Sequence, residues 1–247
     1  MDKTFDLKTL HLDPDTPAPA KMSRPEPREA SGPRFELEAM RLVHRLFLSP
    51  SQPPPASVLF CGVEAGSGCS TVCASVAELL ATQVKGSVCL VDANVHNPAL
   101  HRFFDVENGR GFTNALLDPG PVEDFAQQLP GRDLWIMTNG TGPGDLWSLS
   151  DAENLRSRLL ELRSAFKYVI IDVAPAGRYL DAITIGQVVD GAVLVIASNA
   201  TKRDVARQTK ETLEEANVAV LGAVLNRRKY PIPQFLYSKL RFGAKRS

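Results

Sequence analysis

The chain has 247 residues, of which 44% are hydrophobic and 23% are charged, and its 28 basic and 28 acidic side chains leave no net charge. This composition is typical of a globular protein, and the charge balance excludes a nucleic-acid partner recognised through bulk charge. No apolar run reaches the roughly 20 residues that cross a bilayer, and the opening MDKTFDLKTLHLDPD lacks the apolar core of an export signal. We therefore expect a cytoplasmic location.

The first 56 residues combine a proline-rich tail with one short helix. Residues 1–34 are rich in proline and poor in aromatic residues, which predicts a disordered tail. FELEAMRLVHRLFL (35–48) has helical periodicity, and SPSQPPPA ends it. The pattern places four apolar side chains on one stripe: Leu37, Met40, Val43 and Phe47. This helix and its proline-rich linker, residues 35–56, can pack on their own domain or reach a neighbouring subunit.

From residue 57 onward, apolar strands alternate with helices. The predicted strands are SVLFCG (57–62), SVCLVDA (87–93), DLWIMTN (133–139), YVIIDVAP (168–175), GAVLVIAS (191–198) and VAVLGAVLN (218–226). The predicted helices are residues 70–84, 99–105, 113–118, 151–166 and 201–216. Such alternation is typical of a mostly parallel sheet with helices on both faces. The sequence therefore predicts a single α/β domain over residues 57–228, with the carboxyl ends of the strands along one edge.

FCGVEAGSGCST, residues 60–71, has the form of a phosphate-binding loop between the first strand and the first long helix. Gly66 and Gly68 allow backbone N–H groups to face an anion, and the helix N-terminus adds a positive dipole. Ser70 stands where such a loop places its hydroxyl ligand for Mg²⁺, and Thr71 can reach a phosphate oxygen. Taken alone, the loop also fits a plain glycine-rich turn between a strand and a helix.

Two acids and one amide end other strands at the same edge. Asp92 can polarise water or hold Mg²⁺, although a turn or helix cap is an equal interpretation of this residue alone. Asp172 follows four apolar residues, as does the acid that reaches the metal through water in P-loop proteins. Asn226 ends the last strand. Because the loop and both acids occur in order, each after an apolar strand, the sequence predicts a P-loop NTPase-like site.

Cys69 occupies the position at which a phosphate loop carries its lysine. That lysine neutralises phosphate charge during transfer, and its loss lowers the rate by on the order of a thousandfold or more. A thiol at a helix N-terminus can have a lowered pKa. Cys69 and Cys73 lie four residues apart but supply only two ligands of a metal site, so we expect reduced thiols in a cytosolic core.

Six segments resemble, in order, the pattern of the bacterial tyrosine autokinases: GVEAGSGCST, LVDANVHNPALHRFF, ENGRGFTNAL, YVIIDVAPAGRYLDA, VDGAVLVIAS and VLGAVLN. The resemblance covers residues 35–240. HNPALHRFF and GRGFTNAL are more specific to these kinases than the phosphate loop is. The family belongs to the deviant P-loop ATPases, with the partition and division-site ATPases, and is associated with exopolysaccharide and capsule export.

The resemblance implies a role for each matched position. It implies nucleotide binding by Gly66, Ser67, Gly68, Cys69, Ser70, Thr71 and Asn226, the last at the adenine. It implies Mg²⁺ at Ser70, Asp92 and Asp172, with the two aspartates as catalytic acids. The family's acid–x–x–Arg–x–x–Arg motif, which packs between protomers of a ring, is represented here by Glu38, Arg41 and His44. ATP and Mg²⁺ are the implied cofactors, and the candidate phosphoryl acceptors are Tyr230 and Tyr237.

Three departures from the family pattern weaken metal-assisted phosphoryl transfer in the same direction. The loop lysine is replaced by Cys69, the second acid of the LVDAN motif is Asn94, and the tail over residues 229–247 holds only Tyr230 and Tyr237. The sequence therefore predicts a degenerate kinase-like protein that regulates or scaffolds polysaccharide export and binds nucleotide weakly or not at all.

Two other functions remain open from the sequence. An active tyrosine autokinase would need a substitute cation, for which the candidates are Arg41 or Arg45 of a neighbour, Lys202 and Arg203. A partition or positioning ATPase would cycle between monomer and dimer.

The expected partners are further copies of the chain and a membrane polysaccharide co-polymerase, or chain-length regulator. The tail carries seven basic residues between Arg227 and Arg246 and no acid. It is either a solvated end or a dock for anionic lipid headgroups or an acidic partner at the inner face of the plasma membrane.

Overall fold

The structure is a computed structural model, which describes residues 33–50, 53–142, 152–198 and 200–227. The predictions for residues 1–32, for Tyr230 and Tyr237, and for the basic tail lie outside the described residues.

One seven-stranded sheet forms the centre of the molecule. Its strands are β1 (Ser57–Gly62), β2 (Val88–Asp92), β3 (Gln127–Gln128), β4 (Leu134–Met137), β5 (Tyr168–Val173), β6 (Gly191–Ala197) and β7 (Val220–Asn226). The spatial order is β3-β4-β2-β5-β1-β6-β7, and each neighbouring pair is parallel except β3 with β4. The predicted mostly parallel sheet is confirmed. The two-residue strand β3 was not predicted, because so short a segment shows no periodicity.

Helices cover both faces of the sheet. They are α1 (Pro33–Phe47), α2 (Cys69–Gln83), α3 (Leu100–Phe104), α4 (Phe112–Leu117), α5 (Ala152–Ala165), α6 (Asp181–Gly186) and α7 (Arg203–Glu215). Side chains of α1 and α2 form one hydrophobic core with one face, and those of α4, α5, α6 and α7 form a second core with the other. Along β1, Val58 and Phe60 enter the first core and Leu59 and Cys61 the second, as the period of a strand requires. Within the described ranges, no helix combines the length and apolar character needed to span a membrane.

Helix α1 packs on its own domain. Val43 and Phe47 are buried in the core that α2 also forms, and Ala39 lies one turn before Val43 on the same face. The predicted stripe is wrong at Leu37 and Met40, which are 47% and 46% exposed. Ala39 completes the buried face with Val43 and Phe47. The prediction considered only large apolar residues and therefore left Ala39 out.

The carboxyl ends of β1, β2, β5 and β7 lie along one edge, because these strands run in the same direction. In the register of the sheet, Asp172 on β5 pairs with Asp92 on β2 and with Phe60 on β1. The topology therefore brings both predicted acids beside the loop that follows β1.

Candidate nucleotide-binding site

The loop between β1 and α2 has the backbone of an anion-binding turn. Gly66 and Gly68 have φ angles of 78° and 81°, in the left-handed region that glycine adopts without strain. Gly68 immediately precedes the first residue of α2, and its carbonyl accepts the Val72 N–H at 3.1 Å. The free N–H groups of the first turn therefore face the loop, as they do where a helix N-terminus binds phosphate.

Asn226 fastens this loop to the end of β7. Its side-chain amide donates a hydrogen bond to the carbonyl of Ser67 at 2.9 Å, and Ser67 is itself buried. A Cβ atom on Gly68 would collide with the same Asn226 amide nitrogen. The amide thus faces the loop backbone in this structure, and contact with an adenine stays a prediction.

Asp172 is the buried acid beneath the loop. Its Oδ1 accepts a hydrogen bond from the Cys73 thiol at 3.7 Å, and its Oδ2 has no hydrogen-bond partner among the residues described. Burial first, and then the negative charge of Asp92, raises the pKa of Asp172 to about 7. Ser70, Cys69 and Cys73 lie close enough to oppose this shift. The Oδ2 atom of this buried carboxylate is therefore able to bind a cation.

Asp92 acts as a cap in this structure. Its Oδ2 accepts the backbone N–H groups of Ala99 and Leu100, each at 2.9 Å, and its Oδ1 accepts that of Asn94 at 3.3 Å. Burial raises the pKa of Asp92 to about 6, against the lowering effect of these hydrogen bonds. Of the two roles that the sequence allowed for Asp92, the structure shows the cap, and both carboxylate oxygens accept hydrogen bonds from backbone N–H groups.

The Cys69 thiol is not activated by the helix N-terminus. The side chain is half-buried at the first position of α2. Burial raises the pKa of Cys69 well above its ordinary value, with further contributions from Cys73 and Asp172. The pKa of this thiol is therefore shifted in the opposite direction to the lowering that a helix N-terminus can produce.

The loop after β2 is tied to the segment that leads into α6. The His96 ring stacks on Tyr179 with centroids 3.7 Å apart, and its Nε2 lies 3.0 Å from Oδ2 of the buried Asp181. Asn94 accepts the Asn97 N–H at 3.2 Å through its side chain. Sequence reasoning missed Tyr179 and Asp181, although both lie in the family-like segment that follows Asp172.

Arg227 is a second residue that the sequence did not single out. It follows Asn226 directly, has a φ of 55°, and places its Nε 3.6 Å from the position of a Cβ on Gly68. The sequence counted it only as the first basic residue of the tail. In the structure its guanidinium lies beside Gly68, the residue before Cys69.

The predicted interface residues lie on the outer side of α1. Glu38, Arg41 and His44 are all exposed, and Arg41 pairs with Glu38 at 2.9 Å. None of the three takes part in the core that holds α1 on the domain.

The sheet order and the glycine loop define an α/β protein of the P-loop NTPase type. No protein-family model matches the chain. The tyrosine-protein kinase YwqD of Bacillus subtilis strain 168 is 34% identical over 173 residues, which are 70% of this chain and 73% of YwqD. The chain therefore belongs to the family of bacterial tyrosine-protein kinases that includes YwqD, as its motifs predicted.

Solved structures share the fold of this chain. The chimeric protein CapA2B2 has a TM-score of 0.73 and 24% identity, covering 82% of this chain and 88% of its own. The kinase domain of VpsO has a TM-score of 0.70 and 25% identity, covering 78% of this chain and 96% of its own. The predicted P-loop NTPase-like fold is confirmed.

The residues present fit a bound phosphate better than they fit metal-assisted transfer. The left-handed glycines and the N-terminus of α2 suit an anion, and the Asp172 oxygen that has no partner among the described residues suits a cation. At the lysine position, however, Cys69 supplies no positive charge, and the oxygens of Asp92 are bound to backbone N–H groups. The glycine loop and both acids are present, and the lysine position holds the neutral side chain of Cys69.

Proposed function

We propose that this protein is a degenerate member of the tyrosine kinase family that regulates or scaffolds exopolysaccharide or capsule biosynthesis and export, binding ATP and Mg²⁺ weakly or not at all. The observation that carries the proposal is Cys69, a half-buried thiol where the phosphate loop needs a lysine. Removing one cation from a desolvated phosphoryl-transfer site costs several kcal/mol of transition-state stabilisation, on the order of a thousandfold or more in rate.

The state of the first acid supports the same proposal. Asp92 would have to give up hydrogen bonds to Ala99 and Leu100 before its Oδ2 could serve a metal or a water. Such a rearrangement would leave the buried Leu100 N–H without a partner, at a cost of about 1–3 kcal/mol, and would also expose the partly buried Ala99 N–H. The retained fold with weakened chemistry favours a binding role over a catalytic one.

The proposed partners and location follow from the resemblance. They are a membrane polysaccharide co-polymerase and further copies of the chain, with no nucleic acid, at the cytoplasmic face of the inner membrane. In this proposal a kinase-like domain over residues 57–228 follows an interface helix with its linker (35–56). A partner, or the basic tail of residues 229–247, would attach it to the membrane.

The test combines nucleotide titration with detection of phosphotyrosine. We expect no phosphotyrosine when the full chain is incubated with ATP and Mg²⁺, and weak or undetectable binding by calorimetry. Cys69→Lys should tighten ATP binding at least about tenfold because it restores one charge-assisted contact. Cys69→Ala, which removes the thiol without adding charge, should give no gain. Strong phosphotyrosine on the wild-type protein that disappears in Asp172→Ala would refute the proposal.

An active autokinase is the second candidate, and Arg227 is the observation that favours it. The guanidinium beside Gly68 could take the place of the missing lysine at the loop. In that case Tyr230 and Tyr237 should be phosphorylated, and Arg227→Ala should reduce labelling more than Lys202→Ala does. ATP-dependent dimerisation without phosphotyrosine would instead favour a partition-type ATPase.

A further inference from the structure

Three metal-binding side chains meet beneath the loop, where α2 begins and β5 ends. The sulfur atoms of Cys69 and Cys73 and a carboxylate oxygen of Asp172 all lie within 4.8 Å of one another. The two cysteines share one side of α2 because four residues make about one helical turn. The third ligand comes from a different element, and its approach cannot be read from sequence spacing.

The Asp172 carboxylate also has an unsatisfied oxygen at this point. The side chain is fully buried, and its Oδ2 has no hydrogen-bond partner within the part of the chain described. The other oxygen, Oδ1, accepts the weak donor of the Cys73 thiol at 3.7 Å. An unpartnered buried carboxylate oxygen is costly, and an ion at this position would satisfy it.

We propose that Cys69, Cys73 and Asp172 form a zinc site, with water as the fourth ligand. Tetrahedral zinc with sulfur at about 2.3 Å and oxygen at about 2.0–2.2 Å separates neighbouring ligand atoms by roughly 3.4–3.8 Å. Cys73 Sγ already lies 3.7 Å from Oδ1 of the Asp172 carboxylate, and the three ligand atoms lie within 4.8 Å of one another, so a small side-chain adjustment would bring them to this spacing. Two thiolate ligands favour Zn²⁺ over Mg²⁺ or Ca²⁺, which prefer oxygen.

The zinc site changes what the Cys69 position does. Zinc binds thiolates, so each cysteine gives up its proton to solvent on binding. Two thiolates and one carboxylate around Zn²⁺ leave one net negative charge, so the metal does not replace the positive charge of the lost lysine. It also occupies Asp172, the carboxylate that the family pattern assigns to Mg²⁺. Zinc and Mg²⁺–nucleotide therefore compete for this loop.

The experiment uses the full-length reduced protein, stripped with a chelator and titrated with Zn²⁺ in competition with a chromogenic chelator. We expect one zinc ion per chain, confirmed by elemental analysis after dialysis, and a rise in the melting temperature on loading. Substitution with Co²⁺ should give a thiolate-to-cobalt charge-transfer band and the intense visible bands of a tetrahedral site.

Ligand variants and a matched control identify the site. Cys69→Ser and Cys73→Ser should each weaken zinc binding by on the order of a hundredfold or more, and Asp172→Asn by at least about tenfold. Cys89→Ser removes a buried thiol outside the cluster and should bind zinc like the wild type. All four cysteines of the sequence lie in the described residues.

Two results would overturn the zinc site: substoichiometric zinc in the wild type, or zinc binding that both serine variants retain. A circular-dichroism melt in chelator establishes that each variant is folded, and the half-buried Cys69 position tolerates serine most readily. The zinc site does not depend on the proposed function, because the titration involves no nucleotide. Phosphotyrosine on the zinc-free protein would refute the regulatory proposal and leave the zinc site intact.

Discussion

Gly66 and Gly68 share a left-handed backbone but differ in what surrounds them. A Cβ on Gly66 would have no heavy atom within 4 Å, whereas a Cβ on Gly68 would collide with the Asn226 amide that holds the loop. Gly66→Ala should therefore cost about 1 kcal/mol, for the left-handed conformation alone. Gly68→Ala should cost at least about 1 kcal/mol more, because it also breaks the Asn226 hydrogen bond. Urea unfolding of the two variants measures the difference, and equal losses would contradict this account of the loop.

The buried carboxylate of Asp172 is expected to lower the stability of the folded protein at neutral pH. Its pKa is raised from 3.8 to about 7, so the folded state binds the proton more tightly than the unfolded state. This term favours folding at low pH, and the advantage is lost as the pH rises from about 4 through 7. Asp172→Asn, which does not titrate, should therefore stabilise the metal-free protein by about 1–4 kcal/mol at pH 8 and by less at pH 5.

Unfolding in urea with a chelator present, at pH 5 and at pH 8, measures the effect of Asp172→Asn. A variant that is less stable than the wild type at pH 8, or a difference that does not grow with pH, would show that burial of this carboxylate carries no penalty. Stabilisation on neutralising it would indicate that the acid is retained for binding an ion.

At the scale of elements, α1 is joined to the domain through one face. Val43 is 1% exposed in the core shared with α2, whereas Leu37 is 47% exposed on the opposite side. Val43→Ala should lower the free energy of unfolding by about 1–3 kcal/mol, and Leu37→Ala should change it by less than about 0.5 kcal/mol. A single urea transition monitored by circular dichroism, shifted in Val43→Ala alone, is the expected result. No shift in that variant would mean that α1 unfolds separately.

Elements were predictable where the signal is local. The strands from Ser57, Tyr168 and Gly191 begin where the apolar runs predicted, because strands buried on both faces are continuously apolar. Helix α6 was not predicted, although α4, which also has six residues, was. The prediction for the buried face of α1 was right at Val43 and Phe47 and wrong at Leu37 and Met40, and it omitted the small Ala39, which is buried.

The candidate site was predictable to the level of topology. A parallel sheet brings the ends of β1, β2 and β5 together, so the loop and both acids could be placed at one edge from the sequence. The hydrogen bonds that these residues make at that edge could not be predicted from the sequence. Asp92 binds N–H groups seven and eight residues further along the chain, and Asp172 meets the thiol of Cys73 from another element. Such pairings depend on how α2 and the loop after β2 pack on the sheet.

At the scale of the whole molecule, the outer side of α1 has the features expected of a contact between copies of the chain. Glu38, Arg41 and His44 lie there together with two half-exposed apolar side chains, Leu37 and Met40. Because the opposite side of α1 is buried on its own domain, a second copy could bind without displacing the helix. The proposed homo-oligomer therefore requires no rearrangement of the fold.

Charge reversal on α1 tests this assembly. Arg41→Glu should shift the protein toward monomer in sedimentation velocity, because it places a repelling charge beside Glu38 in the contact. Arg207→Glu is the matched control, since Arg207 is equally part of an exposed helical ion pair, with Glu211 at 2.8 Å, but lies on α7. Exposed pairs contribute at most about 1 kcal/mol to stability, so both variants should keep the urea midpoint of the wild type. A wild-type protein that is monomeric at every concentration, or equal effects of the two reversals, would show that this side of α1 is not the contact.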